Sequence, residues 1–467
     1  MASSPSFSPP CGPVTGWTEE WTGEVPLVRA TGIRYAAARR FEAPRPAADR
    51  TEVFMATSWS PACPQAPMPV LEEVLGGGIG ELGVDEDCQR LSITLPGDLA
   101  PGEQLPVMVW IHGGSYVSAA GDAAVMDPAP LVAEQRVVAV NVTFRLGLFG
   151  FLGGSDARPA NLGLLDIVEA FRWVQRNIAA FGGDPGQVTA YGQSAGAHAI
   201  AQLMALPEAP SLFRRAIIQS APLNVEGGRE EMHGRMLEAT AELTAESPVA
   251  AVVRAQAAAL RASAEYGLQG AMSFSPQHGS DPLPDTAGVL AGRDANAPAI
   301  DLLIGYTSEE ALLFVPRIPA TKRLSELPVV GRPLTRAVVS ALTWLVYRRD
   351  AARFARRHVR AGGRASTYVV SWKAPHNVWG ACHMIDLPLL FGGERTWSRA
   401  PLVRGASWTE INRVGRRMRG VWGDFARGTL PAEADSIPGA ASFRRREGLS
   451  RPTSSRPSGT ARGSAGD

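Results

Sequence analysis

Residues 188–200 read VTAYGQSAGAHAI, and at their centre Gly192-Gln193-Ser194-Ala195-Gly196 forms a G-x-S-x-G pattern. Five positions with three fixed arise by chance in many chains, so the surroundings decide what Ser194 does. Before it, QVTAYG reads as a short apolar strand. After it, AGAHAIAQLMAL reads as a helix. A serine on a sharp strand-to-helix turn has its hydroxyl exposed, and small residues two positions to either side keep such a turn free of clashes. The turn also opens a helix, whose first N–H groups lack internal partners. The N–H of Ala195 is then free to stabilise a developing oxyanion.

Working outward, LPVMVWIHGG and QRVVAVNVTF are apolar runs of the kind buried on both faces of a sheet. Between Asn161 and Pro185, apolar Ile167, Phe171, Val174 and Ile178 fall at helical spacing, and Gly182-Gly183 and Pro185 stop the helix. FRRAIIQSA and AIDLLIGYT supply further strands. Strands alternating with helices predict an α/β fold with a mostly parallel sheet and helices on both faces. The segment AVVSALTWLVYRRDAARFARRHVR predicts two helices that line the entrance to a site.

The 467 residues suffice for a large core. An apolar fraction of 45%, a charged fraction of 19% and a formal net charge of +1 describe a globular chain without a field that points to nucleic acid or an anionic membrane. Lys322 and Lys373 are the only lysines. No apolar run reaches membrane-spanning length, and the N-terminus lacks the basic start and apolar stretch of a signal peptide, which predicts a cytoplasmic location. Residues 1–24 are rich in Ser, Pro and Gly and read as a flexible lead-in. Residues 25–442 read as one domain, and residues 443–467 as a disordered tail. A G-x-G-x-x-G match at Gly78 to Gly83 neither follows a strand nor opens a helix, so it reads as a loop and not as a dinucleotide site.

A serine hydroxyl needs a base and an acid. On this kind of fold they follow in the order serine, acid, histidine. His358, His376 and His383 all lie late enough. His358 sits in a basic, solvated helix and His376 in a turn, which leaves a mild preference for His383. His112-Gly113-Gly114 ends a predicted strand upstream, and two glycines let backbone N–H groups approach a tetrahedral intermediate.

Taken together, these segments resemble the type B carboxylesterase family, the cholinesterase-like branch of the α/β-hydrolases. The likeness runs from Gly32 to Gly428 through GIRYAAARRFEAP, ACPQ, DEDCQRLSI, HGGSY, FRLGLFGFL, the 37 residues from Asn161 to Ala197, and FRRAIIQSA. It implies an α/β-hydrolase fold and a serine carboxylesterase acting on small-molecule esters, with a Ser194, His383 and Glu310 triad and no cofactor or metal. The oxyanion hole would be Gly113, Gly114 and Ala195. Glu310 matches the family's acid in GYTSEEALLF, with Glu309 as a same-charge neighbour and Ala311 where the family carries glycine. His383 matches in HMIDLPLLF. The resemblance also pairs Cys63 with Cys88, a disulfide in secreted members that a reducing compartment leaves open. Cys11 and Cys382 read as unpaired. Three rival readings use the same fold: a catalytically silent binding protein, an amidase or carbamate hydrolase, and a lipase.

Overall fold

The computed structural model describes residues 4–21, 25–77, 82–315, 318, 321, 327 and 330–447. Ten strands form one sheet: β1 Trp17–Glu19, β2 Leu27–Arg34, β3 Arg90–Pro96, β4 Leu105–Ile111, β5 Val138–Thr143, β6 Gly183–Gln193, β7 Arg215–Gln219, β8 Asp301–Thr307, β9 Ala365–Val370 and β10 Ala441–Arg446. Their spatial order is β10-β9-β8-β7-β6-β4-β5-β3-β2-β1. The six central strands from β9 to β5 run parallel, and the strands at both ends pair antiparallel. This is the α/β architecture read from the sequence.

Alternation along β4 shows why the sheet is buried on both faces. Val107, Val109 and Ile111 enter one core, with Ile167, Phe171 and Val174 of helix α1 (Leu162–Asn177). Met108 and Trp110 enter the opposite core. A strand with two dry faces needs an unbroken apolar run, and LPVMVWI supplies it. Helix α2 (Ala195–Leu203) packs on β6 and carries Ile200 into the first core. Helices α3 (Gly331–Thr343) and α4 (Arg349–Arg360) are joined by one π-helical turn, Trp344–Arg348. Helix α5 (Trp408–Ala426) brings Trp422 and Phe425 into the second core. Among the described residues, no helix is long and apolar enough to cross a membrane.

Both ends of the chain correct the sequence reading. The expected flexible lead-in contains Ser6–Phe7, paired with Val14–Thr15, and β1; Val14–Thr15 also pairs in parallel with Phe54–Met55, outside the lead-in. The Phe7 ring packs 4.6 Å from Phe181, and the Cys11 N–H donates to Asn177 Oδ1 at 2.9 Å. Strands of two or three residues are too short to show a period, so composition masked them. At the other end the expected tail begins inside β10, where Phe443 is buried and Arg444 and Arg445 are outward. An edge strand needs only one apolar face, and its arginines discourage pairing with another chain. Residues 448–467, and residues 78–81 of the glycine motif, lie outside the described residues.

One smaller expectation also changes, and the cysteine pair, left open by the sequence, is reduced in the structure. His358 is buried, not solvated: its Nε2 lies 2.8 Å from the Ile300 carbonyl, where α4 packs against the sheet. Cys63 and Cys88 are buried free thiols, not a disulfide. A hydrogen bond to Cys63, then burial, pushes the Cys88 thiol well above its ordinary range, so it lacks the thiolate that disulfide exchange needs. Cys11 and Cys382 are unpaired, as expected.

Candidate active site

Ser194 occupies the junction of β6 and α2 with φ 57° and ψ −123°, a backbone conformation that costs energy in any residue but glycine. The turn holds because its backbone is tied on both sides. The Ser194 N–H donates to the Gln219 carbonyl at 2.8 Å, and the Ser194 carbonyl accepts from the His198 N–H at 2.9 Å. Close approach of β4 explains Gly196, where a Cβ would stand 1.9 Å from the Ile111 carbonyl oxygen. The same crowding makes G-x-S-x-G a structural requirement here.

The loop after β4 brings Gly113 beside the serine. A Cβ on Gly113 would lie 2.9 Å from the Gln193 carbonyl oxygen and 3.1 Å from Ser194 Cβ. Gly114 follows with φ 102°. Ala195 opens α2, so the three sequence-predicted oxyanion donors come together around Ser194 from two separate elements.

Glu310 begins the 3-10 turn that follows β8 and is completely buried. Its Oε1 accepts from the Thr307 N–H at 2.7 Å, and its Oε2 lies 2.5 Å from His383 Nδ1. Glu309 faces the other way, with Oε2 3.1 Å from Lys373 Nζ and accepting from the Ala381 N–H at 2.8 Å. His376 is exposed in a turn. Of the three candidate histidines, only His383 borders the cavity that Ser194 lines. Its ring lies 5.5 Å from Phe314 and 5.6 Å from Tyr347, centroid to centroid. Tyr347 belongs to the π turn between α3 and α4, so that predicted helical segment does reach the site, at the back of His383.

Several residues inside the matched motifs take roles that the sequence reading did not assign. Gln193 places its Nε2 3.1 Å from His383 Nε2. Gln219 donates through Nε2 to Asp386 Oδ2 at 2.7 Å, while its Oε1 accepts from Trp422 Nε1 at 3.2 Å. Burial, with Glu310 nearby, pushes the Asp386 carboxyl up to about 6. Burial also pushes the Cys382 thiol up, which keeps it protonated beside His383. Burial drives His112 down to about 4, so it stays neutral.

The cavity has a volume of 290 Å³, and its walls include Met68, Leu71, Val117, Leu313, Phe314 and Met384. Among the described residues, no Asp, Glu, Lys or Arg lines it. Among the described residues, too, no cluster of three or more His, Cys, Asp or Glu is placed to hold a metal ion.

The model of the carboxylesterase family matches residues 3–328. The probable N-octanoylanthranilate hydrolase of Rhodococcus erythropolis is 37% identical over 90% of this chain and 92% of its own length. The para-nitrobenzyl esterase of Bacillus subtilis is 31% identical over 91% of each chain. The solved structure of a thermophilic PNB esterase superposes with a TM-score of 0.76 at 27% identity, over 95% of this chain and 98% of that one. The chain therefore belongs to the type B carboxylesterase family, has the α/β-hydrolase fold, and is a carboxylic ester hydrolase.

Proposed function

We propose that the chain hydrolyses uncharged, apolar esters through an acyl-enzyme on Ser194. The observation that carries this reading is the 2.5 Å pairing of Glu310 Oε2 with His383 Nδ1, on the wall of the cavity that Ser194 also lines. With Nδ1–H donated to the carboxylate, His383 presents the Nε2 lone pair as a base. That lone pair accepts from the Gln193 amide in the resting site, so Gln193 yields as Ser194 engages.

Ser194 Oγ attacks the ester carbonyl carbon as its proton passes to His383 Nε2. The carbonyl electrons move onto oxygen, where the N–H groups of Gly113, Gly114 and Ala195 receive them. Glu310 stabilises the imidazolium. Collapse of the intermediate breaks the C–O bond, and the leaving alcohol takes the proton from His383. Water, deprotonated by His383, then attacks the acyl-enzyme and releases the acid. Every step uses groups of the chain itself.

The cavity's apolar walls favour an uncharged acyl or alcohol group, because a charge placed there would lose its hydration without a partner. Turnover of p-nitrophenyl esters by the wild type and by Ser194→Ala tests the reading. Undiminished turnover by a folded Ser194→Ala protein would overturn it.

A second reading, hydrolysis of N-acyl bonds, is favoured by the relative named for N-octanoylanthranilate. The same groups serve if His383 protonates a departing amine. The ratio of kcat/KM for an ester and an anilide of one acyl group separates the two.

A further inference from the structure

The oxyanion donors come from two elements that share no backbone hydrogen-bond ladder at that point. Gly113 and Gly114 lie on the loop after β4, whereas Ala195 lies at the start of α2. Their mutual position has to be held to within about 0.5 Å for the three amides to converge on one oxygen.

The loop does not hold its shape unaided. Gly114, Ser115 and Tyr116 are three successive residues with positive φ, at 102°, 55° and 60°. Only the first is glycine, and strain of this kind persists when the surroundings over-determine it. The fixing contacts gather at Tyr116. Its carbonyl accepts from the Gly147 N–H at 2.6 Å, and its ring packs 4.4 Å from Phe151. Its buried hydroxyl lies 2.8 Å from His198 Nδ1. His198 is in the first turn of α2, on the helix that supplies the Ala195 N–H, and its own N–H bonds the Ser194 carbonyl.

A buried chain behind His198 sets the direction of that hydrogen bond. Gln202 Nε2 donates to Glu226 Oε1 at 3.0 Å and lies 3.1 Å from His198 Nε2. Glu226 Oε1 also faces His198 Nε2, at 3.5 Å, but the Gln202 amide nitrogen is nearer and can only donate, so His198 Nε2 accepts and the ring proton sits on Nδ1. Nδ1–H therefore donates to Tyr116 Oη. The Gln202 amide cannot turn over, because Oε1 lies 3.0 Å from His278 Nε2 and Nε2 faces a carboxylate. Glu226 is itself clamped by Arg293 through two bonds of 2.9 Å. Burial works against ionisation of Glu226, but the Arg293 pair outweighs it and holds the carboxylate below its ordinary range. Burial also drives His198 down to about 3, despite Glu226, so the ring is neutral at physiological pH.

We propose that the hydrogen bond from His198 Nδ1 to Tyr116 Oη registers the two halves of the oxyanion hole, which makes Tyr116 and His198 positioning residues for ester hydrolysis. This rests on the proposed role of Ser194 and its oxyanion donors. The bond touches no substrate. It fixes where the Gly113 and Gly114 amides stand relative to Ala195, so its loss weakens binding of the tetrahedral oxyanion and leaves ground-state binding alone.

The test uses Tyr116→Phe, which keeps the ring on Phe151 and removes only the hydroxyl. The expected result is a kcat about tenfold lower, KM within about twofold, and an equal loss of affinity for a trifluoromethyl ketone that forms a tetrahedral adduct. His198→Asn should retain most of kcat, because its side-chain amide reaches the place of Nδ1–H. His198→Leu should lose what Tyr116→Phe loses, and the double variant should lose no more. Wild-type kcat and ketone affinity in Tyr116→Phe would overturn the proposal, as would a change confined to KM or to thermal stability. Ser194→Ala separates the two failures. If it is inactive while Tyr116→Phe behaves as wild type, only this inference falls; if it is active, the reading of the site falls first.

Discussion

Glu310 and His383 meet at 2.5 Å, Oε2 to Nδ1, although 73 positions separate them in the chain. β8 delivers the carboxylate, and the loop after β9 delivers the imidazole. Neither side chain is more than 4% exposed, so water does not compete for the bond. Glu310→Gln should therefore lower kcat by about 10³- to 10⁴-fold, because a neutral amide neither fixes the tautomer nor stabilises the imidazolium. Glu309→Gln, which removes the charge paired with Lys373 and keeps an oxygen for the Ala381 N–H, should leave kcat within about threefold. Steady-state kinetics on the two variants checks both outcomes.

Gly113 should tolerate alanine in the fold and lose activity. Its φ is not positive, yet an added Cβ would stand 2.9 Å from the Gln193 carbonyl and 3.1 Å from Ser194 Cβ. The methyl group would push the Gly113 amide off the oxyanion. A fall in kcat of about 10²-fold with retained cooperative unfolding is the expected outcome, read by kinetics and thermal denaturation together.

Chain-length preference follows from the apolar walls. Each added methylene of a straight-chain p-nitrophenyl ester should raise kcat/KM by about fourfold, on the basis of about 0.8 kcal/mol per buried CH₂, until the 290 Å³ cavity is full. An ester whose acyl chain ends in a carboxylate should be at least about tenfold poorer than its neutral isostere, since no cation is present among the described lining residues. A substrate series over acyl length and charge measures both.

Asp386 makes stability depend on pH. Its folded-state carboxyl is raised from 3.8 to about 6, and Oδ1 is buried without a hydrogen-bond partner. The fold thus prefers the protonated form. The stabilisation is complete below the ordinary carboxyl range and is lost as pH rises through about 6. Asp386→Asn does not titrate, so its stability relative to wild type should climb between about pH 4 and 6 and level off above, by on the order of 3 kcal/mol. Urea unfolding across pH 4 to 8 reads the difference.

The elbow was legible because packing imposes it: Gly196 cannot carry a side chain beneath β4, so the pattern around Ser194 is compulsory. The parallel strands were legible because two dry faces demand unbroken apolar runs. The ends were not, because Phe7 and β10 owe their order to residues distant in sequence, Phe181 and Ala365–Val370, and not to any period of their own. Spacing alone does not separate the adjacent carboxylates Glu309 and Glu310; the resemblance favoured Glu310, and it is Glu310 that lies against His383. Gln193, Tyr116 and His198 act through single long-range hydrogen bonds, and no spacing rule connects Tyr116 to a histidine 82 residues later.

The proposed mechanism makes Ser194 the nucleophile. Intact-mass analysis after treatment with a fluorophosphonate tests it most directly. One adduct is expected, placed on the Ser194 peptide by peptide mapping and formed in step with loss of esterase activity, and none on folded Ser194→Ala. Loss of activity with Ser194 unmodified, or wild-type turnover by Ser194→Ala, would contradict it.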